Sequence, residues 1–287
     1  MEWIDKMNAA LDYIEDNLEN KIDYDVIAMK ACCSSYNFQR IFSFIADVSL
    51  GEYIRRRRLT KAALELQQEN SKILDIALKY HYDSPVSFSR AFTALHGIKP
   101  SEAKKEGVTL KSYPRISFKI SIKGVEEMNY RIEKGKGFKL VGKKKNVTTK
   151  NGESFIQIPK FWNESCEDGT CDKLMELCDD SNKIMYGVCY NFGTDEFDYM
   201  IAVNSNKNVE GKYEVLDVPE LTWVKFECRG KMPEAQQNVW KRIFTEWLPN
   251  SGYDHDEGPE IEWYSNGDMN SDNYLSEIWI PIKKSNK

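Results

Sequence analysis

At 287 residues the chain has room for about two domains of ordinary size, each able to bury a core without disulfide or metal staples. Its composition, 41% hydrophobic, 12% aromatic and 30% charged, excludes a disordered chain. No apolar run approaches the ~20 residues of a membrane span, and the acidic opening from Met1 to Asp5 lacks the basic and apolar regions of a secretory signal, so a cytoplasmic address without a membrane partner is expected.

The net charge of -5 conceals a segregation: residues 1–29 carry 2 bases against 8 acids, and residues 30–61 carry 7 bases against 2 acids. Phosphate binding depends on the local field of one face, so the acidic total does not exclude DNA. Seven cysteines, two of them the adjacent Cys32 and Cys33, suit reduced thiols better than a disulfide framework.

The first predicted element is an amphipathic helix with the stripe Trp3, Ile4, Met7, Leu11, Ile14 and Leu18. An internal repeat follows. Ile27-Ala28-Met29-Lys30 returns as Ile76-Ala77-Leu78-Lys79, and Ser34, Phe38, Arg40, Phe42 and Glu52 return as Ser84, Phe88, Arg90, Phe92 and Glu102. Each copy reads as a short helix, a turn, and a second helix with a serine suited to N-capping, Pro85 standing at the tolerant first position. Phe38, Ile41, Phe42 and Ile45 form one apolar face, as do Phe88, Ala91, Phe92 and Leu95. This is the pattern of a helix-turn-helix, present twice. The helical stretch from about Gly51 to Gln67 joins the copies and spans roughly 25 Å, of the order needed to place two helices in successive major grooves.

These residues resemble the DNA-binding domain of AraC/XylS-type transcriptional regulators over residues 5 to about 106. Tyr53-Ile54-Arg55-Arg56-Arg57-Arg58-Leu59 resembles the connector helix, Ile73-Leu74-Asp75-Ile76-Ala77 the entry to the second motif, and Phe88-Ser89-Arg90-Ala91-Phe92 the core of the second recognition helix. The closing segment Gly97 to Lys104 lacks the family's aromatic, and Asp47 stands where a glycine is common, a position aspartate tolerates. By the repeat register the exposed front of the first recognition helix is Ser35, Tyr36, Asn37, Gln39 and Arg40, and that of the second is Pro85, Val86, Ser87, Ser89 and Arg90. Arginine reads guanine and amides read adenine, so the first helix is the chemically richer one. Of Arg55 to Arg58, one or two are expected at phosphate and the others against the acidic first helix, since successive helical positions point about 100° apart. The resemblance implies double-stranded DNA and RNA polymerase as partners, with activation expected.

After Lys104 the texture changes, and Ile116, Phe118, Ile120 and Ile122 alternate as a connector or strand. From Gly124 the pattern is strand, helix, strand, strand, taken twice: Phe138 to Val147, a helical region from Phe155 to Leu177, Met185 to Phe192 and Asp198 to Asn204; then Leu221 to Arg229, Pro233 to Leu248, Glu260 to Tyr264 and Leu275 to Ile282. This resembles the GyrI-like small-molecule-binding domain over nearly all of 125–284. The expected architecture is therefore two domains: an all-α domain 1–106 with two helix-turn-helix motifs and a connector helix, a connector 107–123, and an α+β domain 124–287 with duplicated β-α-β-β units around a central groove.

The resemblance implies a hydrophobic small-molecule effector, bound in an aromatic groove with a glutamate on the last strand, here Glu277. Trp162, Trp223, Trp263 and Tyr264 are the accompanying candidates. A cationic ligand would give Glu277 both charge and cation-π partners; the alternative is a structural hydrogen bond to Tyr264 or a solvent-facing side chain. Trp240 and Trp247 read as core beside Ile243 and Phe244. Two other functions stay open for this domain: a protein-interaction module, or hydrolysis of small electrophiles with Glu277 and Tyr264 or Glu262 as a general-base pair. No nucleophile motif, phosphate loop or dinucleotide fingerprint accompanies the acid, so no enzyme activity and no cofactor are expected. Cys166, Cys171 and Cys178 lack zinc-knuckle spacing, Cys171, Leu174, Met175 and Cys178 trace a core-facing helical stripe, and His255 between Asp254 and Asp256 reads as a solvated loop, so no metal is expected.

Overall fold

The computed structural model describes residues 3–68, 71–118, 127–149, 153–194, 196–209, 211 and 213–285. Two compact units divide the chain: Met1–Phe38 with Val48–Ser121, and Gln39–Asp47 with Ile122–Lys287.

The first helices are α1 (Trp3–Asp16), α2 (Tyr24–Ala31), α3 (Ser35–Ala46), α4 (Leu50–Leu66), α5 (Ile73–Lys79), α6 (Pro85–His96) and α7 (Pro100–Ala103). Local chemistry sets their ends. Ser34 Oγ accepts the Asn37 amide at 3.1 Å and Ser84 Oγ accepts the Ser87 amide at 3.1 Å, so the repeated serines cap α3 and α6. Pro85 occupies the first turn of α6, and Gly97, with φ +82°, closes it in the left-handed region. Asp47 takes the same backbone region, φ +52°, after α3.

In the first unit, Leu59, Ala62, Leu66, Ala77, Phe88, Phe92 and Ala103 form a core in which α4, α5 and α6 meet. The four arginines on α4 diverge as the helical pitch requires. Arg55 and Arg56 both turn back onto Glu52, at 2.6 Å each. Arg57 pairs with Glu15 of α1 at 2.7 Å and donates to the Tyr113 carbonyl at 2.6 Å. Arg58 donates to the carbonyls of Leu18 and Asn20, 2.9 Å each. Ile116 and Phe118 belong to no strand; the Asn8 side chain serves as the partner edge, accepting the Phe118 amide at 2.9 Å and donating to its carbonyl at 3.0 Å. Ile120, Ile122 and the expected boundary at 123/124 lie outside the described residues.

The second unit is built on an antiparallel sheet of β1 (Tyr130–Gly135), β2 (Phe138–Thr148), β3 (Met185–Tyr190), β4 (Glu196–Asn204), β5 (Glu214–Val218), β6 (Leu221–Arg229), β7 (Tyr253–His255), β8 (Glu260–Tyr264) and β9 (Leu275–Lys284). Its order is β1-β6-β9-β8-β3-β4-β2-β5, with β7 on β9. Read outward from the β3/β8 seam, each half places its two β-β strands first, then the strand that opens the unit, then an edge strand. The order is thus the duplicated β-α-β-β unit related by a pseudo-twofold at the seam.

Helices α8 (Ser154–Glu167) and α9 (Thr170–Leu177) serve the first half, and α10 (Glu234–Arg242), a π-helical turn (Ile243–Trp247) and α11 (Leu248–Ser251) the second. The single helix expected over 155–177 is broken because Gly169 takes φ +72°. The sequence reading missed β1, β5 and β7: the alternation of β1 is confined to Tyr130 and Ile132 on a strand exposed along nearly its whole length, and β7 is only 3 residues long.

Candidate functional site

Strand parity sorts the predicted ligand residues onto two faces. Directly paired residues project to the same side of a sheet and successive residues alternate. Trp263 pairs with Glu277, and Trp223 pairs with Pro281, so Trp223, Trp263, Glu277 and Trp279 share one face. Glu262 pairs with Gly187 and Tyr264 with Ser276, which puts Glu262 and Tyr264 on the other.

On the first face the sheet curls on itself. The rings of Phe138 on β2 and Trp279 on β9 come within 6.4 Å although three strands separate them in the sheet order. Trp223 lies 6.2 Å and Tyr186 6.0 Å from Trp279, over a core of Leu140, Val188, Met200, Ala202 and Ile261. Glu277, 8% exposed, is already paired there. Arg131 Nη1 and Nη2 donate to its two carboxylate oxygens at 2.8 and 3.0 Å, and Trp279 Nε1 donates at 2.7 Å. Glu133 bridges Arg131 to Lys225, whose ammonium sits 3.4 Å from the Trp279 ring centroid. The countercharge expected of a ligand is supplied at Glu277 by Arg131, an edge-strand residue that periodicity did not mark.

On the second face α8 and α10 each present a tryptophan to the seam. Glu262 accepts hydrogen bonds from the Tyr264 hydroxyl at 2.9 Å, the Tyr199 hydroxyl at 3.4 Å and Trp240 Nε1 at 3.4 Å. Trp162 Nε1 donates to the Tyr199 hydroxyl at 2.7 Å, and its ring meets Tyr264 edge-on at 5.3 Å. Burial, reinforced by the Glu262 charge, pushes both tyrosine hydroxyls well above the usual tyrosine range, so they remain protonated donors. Glu262 is half-buried, and among the described residues no lysine or arginine pairs with it. A carboxylate held by three neutral donors among four aromatic side chains keeps its negative charge uncompensated.

Gly187 makes room for this arrangement. A β-carbon there would lie 2.2 Å from the Tyr199 hydroxyl oxygen and 3.2 Å from Glu262 Oε2. The signal for Glu262 was present in the sequence: the alternation Glu260, Glu262, Tyr264 sets two acids and a tyrosine on one side of β8. His255, expected in a solvated loop, instead lies in β7, with Nε2 3.1 Å from Glu260 Oε1; burial lowers its pKa to about 4.

The predicted DNA-reading residues divide as well. On α6, Pro85, Val86, Ser87 and Arg90 are exposed and Ser89 is half-buried, with Val86 at 69% exposure. An open groove of about 470 Å³ runs beside Ser89 and Arg90, bounded by Thr93, Lys99 and Pro100. On α3 the expectation of an open front is not met: Ser35, Tyr36, Asn37 and Gln39 are buried and Arg40 is half-buried. For Gln39 and Arg40 the reason is pairing within the second unit, where Gln39 Nε2 donates to the Thr194 carbonyl at 2.7 Å, and Arg40 pairs with Glu260 and lies 3.7 Å from the Trp240 ring centroid.

Residues 131–282 match the family described as integron-associated effector binding protein, and residues 27–106 match a helix-turn-helix domain. The HTH-type transcriptional activator AarP of Providencia stuartii is 48% identical over 95 residues, covering 33% of this chain and 70% of AarP. The Tn10 TetD protein of Escherichia coli is 46% identical over 89 residues, covering 31% of this chain and 64% of TetD. Among solved structures, SAV2435 bound to tetraphenylphosphonium is 26% identical, covering 54% of this chain and 94% of SAV2435 with a TM-score of 0.49. No described helix is long and apolar enough to cross a membrane.

Proposed function

We propose that this chain, which belongs to the integron-associated effector binding proteins through residues 131–282 and to the AraC-type helix-turn-helix transcriptional regulators through its N-terminal unit, regulates transcription in response to a hydrophobic organic cation held at Glu262. The observation that carries this reading is the Glu262 carboxylate, without a cationic partner among the described residues, framed by Trp162, Tyr199, Trp240 and Tyr264. A delocalised cation offers what the site lacks. Its charge faces the carboxylate, and its apolar surface lies against aromatic faces that favour cations. A strongly hydrated ammonium would lose more solvation on entry than the half-buried carboxylate returns.

Base reading is assigned to Pro85, Val86, Ser87, Ser89 and Arg90 of the second motif; by the repeat register Ser35, Tyr36, Asn37, Gln39 and Arg40 of the first motif join them only when α3 is uncovered and the pairing of Gln39 and Arg40 is released. Arg90 is the guanine reader in this scheme, and Val86 the apolar contact for a thymine methyl. Activation is proposed from the activator name carried by AarP, with RNA polymerase as the partner that activation requires.

The test is a thermal-shift screen of the full chain against lipophilic cations and neutral compounds of similar shape. A cation at 100 times its Kd raises stability by about 2.7 kcal/mol. Cations that stabilise while neutral counterparts do not support the reading, and equal effects from both sets contradict it.

A further inference from the structure

We infer that Cys166 and Cys171 form an oxidisable pair, a modification site at the corner between α8 and α9 that a hydroperoxide converts to a disulfide. The two sulfurs stand 3.0 Å apart. A disulfide bond is about 2.0 Å long, so roughly 1 Å of approach completes it. The corner that holds them is built from this chain's own anchors: Asp168 accepts the Thr170 amide at 2.9 Å to start α9 and pairs with Lys143 of β2 at 2.8 Å, while Gly169 reverses the backbone.

The two thiols differ in the way a sequential oxidation needs. Cys166 is exposed and meets a solvent oxidant first; Cys171 is buried. Burial and the neighbouring Cys166 raise the Cys171 thiol to about 12, so Cys171 leaves the peroxide to Cys166 and attacks the sulfenic sulfur only as its own proton passes to the departing oxygen. In the first step Cys166 sulfur attacks the peroxide, the O–O bond breaks, and an alcohol or water leaves with the thiol proton, giving a sulfenic acid. In the second, Cys171 sulfur attacks the sulfenic sulfur, the S–O bond breaks, and water leaves with the Cys171 proton. Two thiols lose two electrons and two protons, and the peroxide takes them. Because the pair is 5 residues apart, the closed loop is short and constrains the unfolded chain little, which suits a reversible modification rather than a structural staple.

The pair also reaches the effector site. Trp162 lies one helical turn before Cys166, on the same side of α8, and its indole holds the Tyr199 hydroxyl that in turn points to Glu262. Drawing the end of α8 onto α9 moves the helix that positions Trp162. This coupling rests on the cation site proposed at Glu262; the disulfide itself does not.

The experiment uses the reduced full-length protein, hydrogen peroxide, alkylation of the remaining thiols and peptide mapping. A linked peptide joining Cys166 to Cys171, reversed by dithiothreitol, is expected, and Cys171→Ser should stop at a sulfenic acid on Cys166 that dimedone traps. Peroxide-treated protein in which both cysteines are alkylated, or in which Cys166 passes to sulfinic acid without a linked peptide, overturns the site. The affinity for tetraphenylphosphonium should differ at least threefold between the reduced and oxidised forms and not in Cys171→Ser. A linked peptide with unchanged affinity overturns the coupling. Equal tetraphenylphosphonium binding by Glu262→Gln and the unsubstituted protein would remove the cation site and leave the disulfide standing.

Discussion

Arg131 on β1 reaches across β6 to close on Glu277 of β9 through two parallel hydrogen bonds, 2.8 and 3.0 Å. This pairing gives Glu277 a countercharge within the chain. The Glu277→Gln substitution removes the charge that holds Arg131, and since Arg131 is half exposed the loss is modest, about 1–2 kcal/mol. Denaturant unfolding should show that loss while the affinity for a lipophilic cation stays within about twofold. A tenfold fall in cation affinity with unchanged stability would return Glu277 to the ligand.

Gly187 has the opposite character, since its lack of a side chain serves the effector site directly. A methyl group there collides with the fully buried Tyr199 side chain, which has no room to retreat. Gly187→Ala should cost about 1–3 kcal/mol by overpacking and displace the Tyr199 hydroxyl from Glu262. Thermal unfolding and cation titration on the same variant check both effects. Unchanged values in each would mean that the seam is looser than the distances state.

In the first unit, Glu15 links stability to pH. Burial raises its pKa, but hydrogen bonds from Arg57 and Tyr53 and the Arg57 charge outweigh it, and the net shift is below the usual glutamate value. A carboxylate with a lowered folded pKa contributes stability at neutral pH and loses it as pH falls from the unfolded value through the folded one. The unfolding free energy of the unsubstituted protein should therefore converge on that of Glu15→Gln as pH drops below about 4.5, from a gap on the order of 2 kcal/mol at neutral pH. A gap that stays constant down to pH 3 would show that the pair contributes through packing alone.

Arg90, exposed on α6, is the sharpest handle on DNA reading. Arg90→Ala should weaken operator binding by about 1–3 kcal/mol and relax one base position. Gel-shift measurements against a library randomised at the operator would reveal the relaxed position. A uniform loss across all sequences would instead assign Arg90 to phosphate.

The duplicated helix-turn-helix was legible because its signals are local. Ser34 and Ser84 cap, Phe38 and Phe88 pack, and the spacing repeats within a few residues. The duplicated β-α-β-β unit was legible because the order strand, helix, strand, strand recurs along the chain. What the sequence withheld is which distant strands pair and in what register. Trp223, Trp263 and Glu277 were grouped with Trp162 and Tyr264 in one groove, yet the pairing of Tyr264 with Ser276 puts the two sets on opposite faces. Strand alternation already separates the adjacent Trp263 and Tyr264, but which of them shares the face of Glu277 is set by one residue of register, and no local pattern encodes that. The partner of Glu277 was hidden for a related reason, because Arg131 sits on an exposed edge strand whose composition resembles a loop. The burial of Gln39 and Arg40 likewise depends on Thr194 and Glu260, far away in the chain.

Glu262 as the countercharge of the effector is tested most directly by isothermal titration of tetraphenylphosphonium and of neutral triphenylphosphine oxide into the unsubstituted protein and Glu262→Gln. Glutamine keeps the shape of the side chain and its capacity to accept from Tyr264 while removing the charge. The phosphonium affinity should fall at least tenfold, about 1.4 kcal/mol, with the phosphine oxide little changed. Equal phosphonium affinity in both proteins, with the fold intact, would contradict the assignment.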